Sequence, residues 1–247
     1  MSPLLVLRGL VAGRVRRRYQ RFLADVELED AQVVTAHCTN TGTMAGCWAP
    51  GDTVLLLPVD APHRRLKFTW VACRRGRTWV GVDTGVPNKV VAEAARRDQL
   101  PGLPGLRDVR TEVPYGRERS RVDVAALDSR GREVLVEVKN TTLRQGSMVL
   151  FPDAATERGT KHLRELRGVV EAGGLAAIAF FVNRGDVSTF DAAREVDPGY
   201  AEELHRAAAA GVLVLPLKVR LRARRDPSGA WSLAWSLDGL HPWTPRT

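Results

Sequence analysis

Residues 120–140, SRVDVAALDSRGREVLVEVKN, constrain the chain more than any other stretch. Val122, Val124 and Ala126 alternate with Arg121, Asp123 and Ala125, and after a break Val134, Val136 and Val138 alternate with Glu133, Leu135, Glu137 and Lys139. A period of two predicts two strands, each with one apolar and one mostly polar face. Between them Asp128-Ser129-Arg130-Gly131 fits a type I turn followed by a glycine at φ > 0, the connection of a three-residue hairpin loop. This loop sets Val124 opposite Val136 and Ala126 opposite Val134, and it predicts Val122 opposite Val138. A one-residue slip would set Val122 against Glu137, so the apolar faces fix the register.

The same register predicts Asp123 opposite Glu137, with Lys139 two residues on. Directly opposed like charges destabilise a strand pair. Two readings account for them. In one, the hairpin face is solvated and Lys139 neutralises an acid. In the other, the carboxylates hold a divalent cation, Mg²⁺ or Mn²⁺, because Mg²⁺ takes one or two carboxylates and fills its shell with water and phosphate oxygens. Residue choice bears on this. Of 37 basic residues only five are lysine (67, 89, 139, 161 and 218). A lysine in a chain that otherwise uses arginine suits a compact point charge beside water or phosphate.

Around the hairpin, residues 87–99 carry a helical stripe at Val90, Val91, Ala94 and Ala95, and 109–115 read as a strand containing Glu112. A helix is predicted over about 154–172, with Leu163, Leu166, Val169 and Val170 inward and Arg158, Lys161, His162 and Glu165 outward. The continuous apolar run 175–182 predicts a fully buried strand. Asp197-Pro198 starts another helix, 212–223 and 230–237 pair through an Asp-Pro-Ser-Gly turn, and the order from residue 87 begins α, β, β, β, α, β. Before residue 84 the pattern is different. Residues 1–13 read as an unordered or strand-like leader, 14–28 as one long strand, and 33–37, 53–57, 68–73 and 78–82 as short strands between turns. Five short strands without a helix suit a small closed barrel.

A net charge of +9 points to a polyanion, nucleic acid before membrane. Arg16, Arg17, Arg18 and Arg21 are expected to meet phosphates. Tyr19 and Phe22 are each either stacking platforms or barrel core; core is the favoured reading of the rings, and Tyr19 stays among the candidate nucleic-acid contacts. Three cysteines without CxxC spacing predict buried thiols rather than a disulfide or zinc framework. No apolar run approaches a membrane span, and the chain reads as cytoplasmic.

The D…ExK arrangement resembles the PD-(D/E)xK nuclease-like core. RRRYQRFLADVEL (16–28), HCTNTGTMAGC (37–47), PGDTV (50–54), YGRERSRVD (115–123), EVK (137–139) and FPDAATERGTKHLREL (151–166) together are similar to the SfsA (sugar fermentation stimulation protein A) family. The resemblance runs over about residues 14–220. It departs at Thr39, where the family pattern has proline, and leaves out the tail 224–247.

The resemblance implies a mixed α+β chain, with an OB-fold-like barrel over 1–84 and a nuclease-like αβββαβ domain with a C-terminal hairpin extension over 85–247. It also implies nonspecific DNA binding and a part in regulating sugar, especially maltose, metabolism. Asp123, Glu137 and Lys139 occupy the motif positions. Glu93 or Glu112 is a candidate third ligand for Mg²⁺ or Mn²⁺, and Arg158, Lys161 and His162 are candidate phosphate contacts. An active nuclease on DNA or RNA and a binder on an inert scaffold both fit. Strand form, single-stranded DNA included, and oligomeric state, a homodimer included, stay open.

Overall fold

The structure is a computed structural model and describes residues 2–116 and 120–243. Residues 117–119, inside the YGRERSRVD stretch, and 244–247 lie outside the described residues. The first strand, β1 (Leu5–Tyr19), is followed by β2 (Leu23–Leu28), β3 (Val33–His37), β4 (Thr53–Pro58), β5 (Phe68–Arg75) and β6 (Thr78–Gly81). Strands β1, β2, β3, β5 and β4 close a ring, with β3 and β5 parallel and the other pairs antiparallel. This is an OB-fold barrel. It differs from the sequence reading in three ways. Residues 5–13 take the strand-like alternative, and they run without a break into 14–19 as the first half of β1 rather than standing apart as a leader. The single strand expected over 14–28 is a hairpin that turns at Gln20 and Arg21, both at positive φ (49° and 66°). Finally, β6 lies outside the ring: it pairs with β5 and makes a single bridge from Val80 to Arg184.

Strand β1 serves two neighbourhoods. Leu5–Leu10 pair with the last strand of the chain, and Val11–Arg14 pair with β4. The register shifts between Leu7 and Leu10, where Gly9 takes a φ of +67° that a side chain would resist. That bulge lets one strand leave a flat sheet and enter a barrel.

After α1 (Gly85–Arg96) come β7 (Arg107–Tyr115), β8 (Ser120–Leu127), β9 (Glu133–Thr141), β10 (Leu143–Gln145) and β11 (Met148–Phe151). The chain then forms α2 (Glu157–Glu171), β12 (Leu175–Val182), β13 (Thr189–Ala192), α3 (Pro198–Ala209), β14 (Leu213–Arg225) and β15 (Trp231–Leu240). The main sheet continues from β1 in the order β15, β14, β12, β9, β8, β7. The αβββαβ frame is therefore present. It carries a small separate sheet, β10-β11-β13, that periodicity did not announce because these strands are only three or four residues long. The Trp-bearing tail is not peripheral: β15 lies between β14 and β1, and Trp235 is fully buried with its Nε1 donating to Asn183 Oδ1 at 3.1 Å.

Strand β12 lies between two parallel neighbours, β9 and β14, and its apolar run is buried on both faces. Side chains such as Ile178 and Phe180 there contribute about 1.5–3 kcal/mol each. One face packs under α1 and β15, and the other under α2 and α3. The barrel interior is a third cluster and holds Cys38, Cys47 and Cys73 as free buried thiols. Burial pushes all three thiols up, away from reactivity. Among the described residues no helix is long and apolar enough to cross a membrane.

One carboxylate sets both covering helices. Asp197 Oδ1 accepts from Tyr200 N at the start of α3, and its Oδ2 accepts from Thr156 N, while Thr156 caps α2 by accepting from Gly159 N. This fixes where α2 presents its first turns.

Candidate active site

The hairpin forms in the expected register as far as Val124–Val136. One residue before that pair the ladder stops, and a side chain replaces it. Asp123 Oδ2 accepts from the backbone N–H of Val138 at 2.7 Å, and its Oδ1 accepts from Asn88 Nδ2 on α1 at 2.6 Å. The expected alternation also breaks here: Val124 and Ala126 pack in the α1 cluster, whereas Val122 packs in the α2 cluster. Asp123 thus lies at a change of face, and its carboxylate reaches across to β9.

Glu137 is 3% exposed and is not on a solvated face. Helix α2 covers it. Its Oε1 accepts from Lys139 Nζ at 2.6 Å and from His162 Nδ1. Arg158 Nε donates to His162 Nε2 at 3.4 Å, which places the ring proton on Nδ1, where it faces Glu137. The other carboxylate oxygen, Glu137 Oε2, is buried and has no hydrogen-bond partner. His162 was expected on the outward side of its helix. It is instead 4% exposed and shares a stripe with Gly159, Leu163 and Leu166.

The two acids are pushed apart. Burial, followed by the charge of Glu137, raises Asp123 to about 6. Burial acts on Glu137 in the same direction, but the His162 hydrogen bond and the Lys139 charge outweigh it and hold the carboxyl below its ordinary value. Near neutrality Glu137 is therefore the settled anion and Asp123 the group near its titration point.

Both acids open onto a cleft of about 480 Å³ that also takes Asn88, Lys139, Asn140, Arg158 and His162 in its wall. The barrel supplies Asn40 and Thr41. Three contacts hold that barrel loop in place. Arg18 Nη2 donates to Asn40 O and Gly42 O, both at 2.9 Å, and Met44 N donates to Asp153 Oδ2 at 3.1 Å. At Gly42 a Cβ would lie 2.4 Å from both Asp153 carboxylate oxygens. Gly42→Ala is therefore expected to lower stability by about 1–3 kcal/mol. A melting curve checks this, and an unchanged midpoint would mean that the two loops are not in register.

The other predicted residues are dispersed. Glu93 pairs with Arg96 and Arg97 and does not line the cleft. Glu112 stands opposite Asp123, between the pairs Thr111–Val124 and Val113–Val122, and raises the Asp123 pKa slightly by its charge, but it is exposed and outside the cleft. Among the described residues no group of three or more His, Cys, Asp or Glu is placed to hold a metal. Arg16 pairs with Glu27, and Arg17 pairs with Asp25 and lies over the Tyr19 ring. Lys161 is half-buried on α2 beside the cleft-lining Arg158 and His162. Asn40 and Thr41 belong to the polar turn 37–42 and Asn88 to α1, and no sequence spacing ties any of them to the two acids.

Comparison with known proteins agrees with this fold. The family described as the sugar fermentation stimulation protein RE domain matches residues 85–225, and the SfsA N-terminal OB domain matches residues 17–82. The chain belongs to the SfsA family. A sugar fermentation stimulation protein homolog from Gloeobacter violaceus is 45% identical over 221 residues, covering 90% of this chain and 93% of the relative. The Geobacter sulfurreducens homolog is 47% identical over 228 residues, covering 90% and 97%. Among solved structures, Pyrococcus furiosus SfsA in complex with Ca²⁺ is similar with a TM-score of 0.83 at 27% identity, covering 99% of this chain and all of that one. The similarity to that structure thus runs through both the barrel and the second domain, across nearly the whole length of the chain.

Proposed function

We propose that this protein binds DNA without sequence preference and holds a divalent cation, Mg²⁺ or Mn²⁺, between Asp123 and Glu137, in a cleft equipped to hydrolyse a phosphodiester. One observation carries the reading: Glu137 Oε2 is a buried carboxylate oxygen without a partner. A buried anionic oxygen left unsatisfied is costly, and a cation is the partner its chemistry asks for. The Ca²⁺ complex of the Pyrococcus furiosus relative supports a cation in this fold.

When bound, such a cation neutralises phosphate charge and lowers the pKa of water. The chain's own residues do the rest. Asn88 and the Val138 N–H orient Asp123. His162 and Lys139 hold Glu137 by one oxygen and leave the other without a partner. Lys139 brings a compact positive charge beside the carboxylates, where charge develops on a scissile phosphate. Arg158, in the cleft wall, suits a neighbouring phosphate. The net charge of +9 supplies affinity that falls steeply with salt through counterion release.

A second reading, DNA binding without cleavage in the control of sugar and maltose metabolism, is favoured by a different observation. Lys139 and His162 already compensate Glu137, so the anion is tolerated without a cation. Thermal melting with Mn²⁺ tests the metal. Cation at about 100 times its Kd adds about 2.7 kcal/mol, which is several degrees for a chain of this size. Wild type should gain this and Asp123→Asn should not. An unshifted wild-type melt at saturating Mn²⁺ would refute the cation site.

A further inference from the structure

The β1–β2 hairpin tip supplies a feature that the cleft does not use. Tyr19 pairs with Leu23, which leaves Gln20, Arg21 and Phe22 as the loop. Phe22 is 45% exposed, against the expectation that it fills the barrel. A single exposed aromatic is ordinary. This one stands beside an exposed arginine, and among the described residues the Arg21 side chain forms no ion pair or hydrogen bond. The other arginines of the cluster are engaged: Arg16 with Glu27, Arg17 with Asp25, and Arg18 with main-chain oxygens.

The backbone under this pair is held in an unfavourable conformation. Gln20 and Arg21 are both in the left-handed region, which non-glycine residues occupy only when their surroundings enforce it. Two contacts enforce it here. Arg18 Nη2 donates to Arg21 O at 2.6 Å, and Cys38 N donates to Phe22 O at 2.8 Å. The same Nη2 reaches Asn40 O and Gly42 O, in the loop whose Asn40 and Thr41 line the cleft. Arg18 therefore joins the hairpin tip to the cleft wall. Phe22 main chain lies within roughly 10 Å of Asn40, since Thr39 alone separates Cys38 from Asn40.

We propose that Arg21 and Phe22 form a base-stacking subsite for a single nucleic-acid strand leading into the cleft. Phe22 takes the face of an unpaired base and Arg21 takes the adjacent phosphate. A ring accepts any base and needs that base unstacked, so the subsite selects single strands or frayed ends without selecting sequence. Arg18 is the positioning residue that keeps the tip at the mouth of the cleft. This inference rests on the DNA-binding reading above.

The test is equilibrium binding in EDTA, by anisotropy, to a labelled single-stranded oligonucleotide and to the matching duplex. Phe22→Ala should weaken single-strand binding by roughly 5- to 100-fold and leave the duplex within about twofold. Phe22→Trp should restore it and should quench a 2-aminopurine placed in the strand. Because Phe22 is largely exposed, unchanged melting of both variants separates lost contact from lost fold. Equal single-strand affinity of Phe22→Ala and wild type, or equal losses on both nucleic acids, would overturn the subsite alone. Wild type that binds neither form would overturn the DNA-binding reading and this inference with it.

Discussion

Asp123→Asn is expected to be more stable than the parent at pH 8 without cation, by about 1–3 kcal/mol. The sign follows from the raised carboxyl. Folded Asp123 titrates near 6 against an ordinary 3.8, so the folded state binds its proton more tightly than the unfolded chain does. Stability from this group is full below about pH 4 and is lost as pH rises through about 6. An amide cannot ionise and escapes that loss, and it can still accept from Val138 N–H. The advantage should vanish below pH 4. It should reverse at saturating Mn²⁺, where only the parent gains stability. Denaturant titrations at pH 4 and pH 8, with and without Mn²⁺, check all three. Asp123→Asn less stable than the parent at pH 8 would mean that the carboxylate is a structural asset and not a functional cost.

Glu137→Ala should have the opposite effect and a larger one. Glu137 is the shared acceptor for Lys139 and His162, and Lys139 is itself only 15% exposed. Removing it leaves a poorly solvated ammonium and a buried imidazole N–H without partners. Breaking one side of a buried pair costs about 3–5 kcal/mol. Glu137→Gln keeps an acceptor oxygen and should lose less, about 1–2 kcal/mol. A shift in urea midpoint at constant slope reads the difference. Equal losses in the two variants would show that the hydrogen bonds to Oε1 contribute little.

Much of the frame was legible because its signals are strong and local. Alternation through 120–140, with Gly131 in the turn, specifies the register of Val124 with Val136 that the structure shows. The apolar run at 175–182 gave a central strand, and Asp197-Pro198 gave a helix start. The failures have physical causes. The β1–β2 turn has Gln20 and Arg21 at positive φ, where Gly or Asn would have marked it, so the hairpin looked like one strand. Its conformation is imposed by Arg18 and Cys38 N–H, which are tertiary contacts.

His162 lies inside, and its position carries the signal. Positions 159, 162, 163 and 166 form one helical stripe, whereas residue type alone sends a histidine to the outside. The arginines at 16–18 read as a phosphate face by composition. Only the fold reveals Glu27, Asp25 and the Asn40 and Gly42 carbonyls as partners. Asn88 and Asn40 come from distant segments, and nothing in their spacing links them to Asp123.

The most direct test of the central claim is cleavage itself. Wild type, Asp123→Asn and Lys139→Ala, purified identically, are incubated with end-labelled single- and double-stranded DNA in Mg²⁺ or Mn²⁺, and products are resolved against an EDTA control. The cation-cleft reading predicts metal-dependent cuts by wild type, none by Asp123→Asn, and strongly reduced cutting by Lys139→Ala at nearly unchanged DNA affinity. Wild type that binds DNA and Mn²⁺ yet leaves both substrates intact would contradict it and leave the nuclease-like fold as a scaffold for binding.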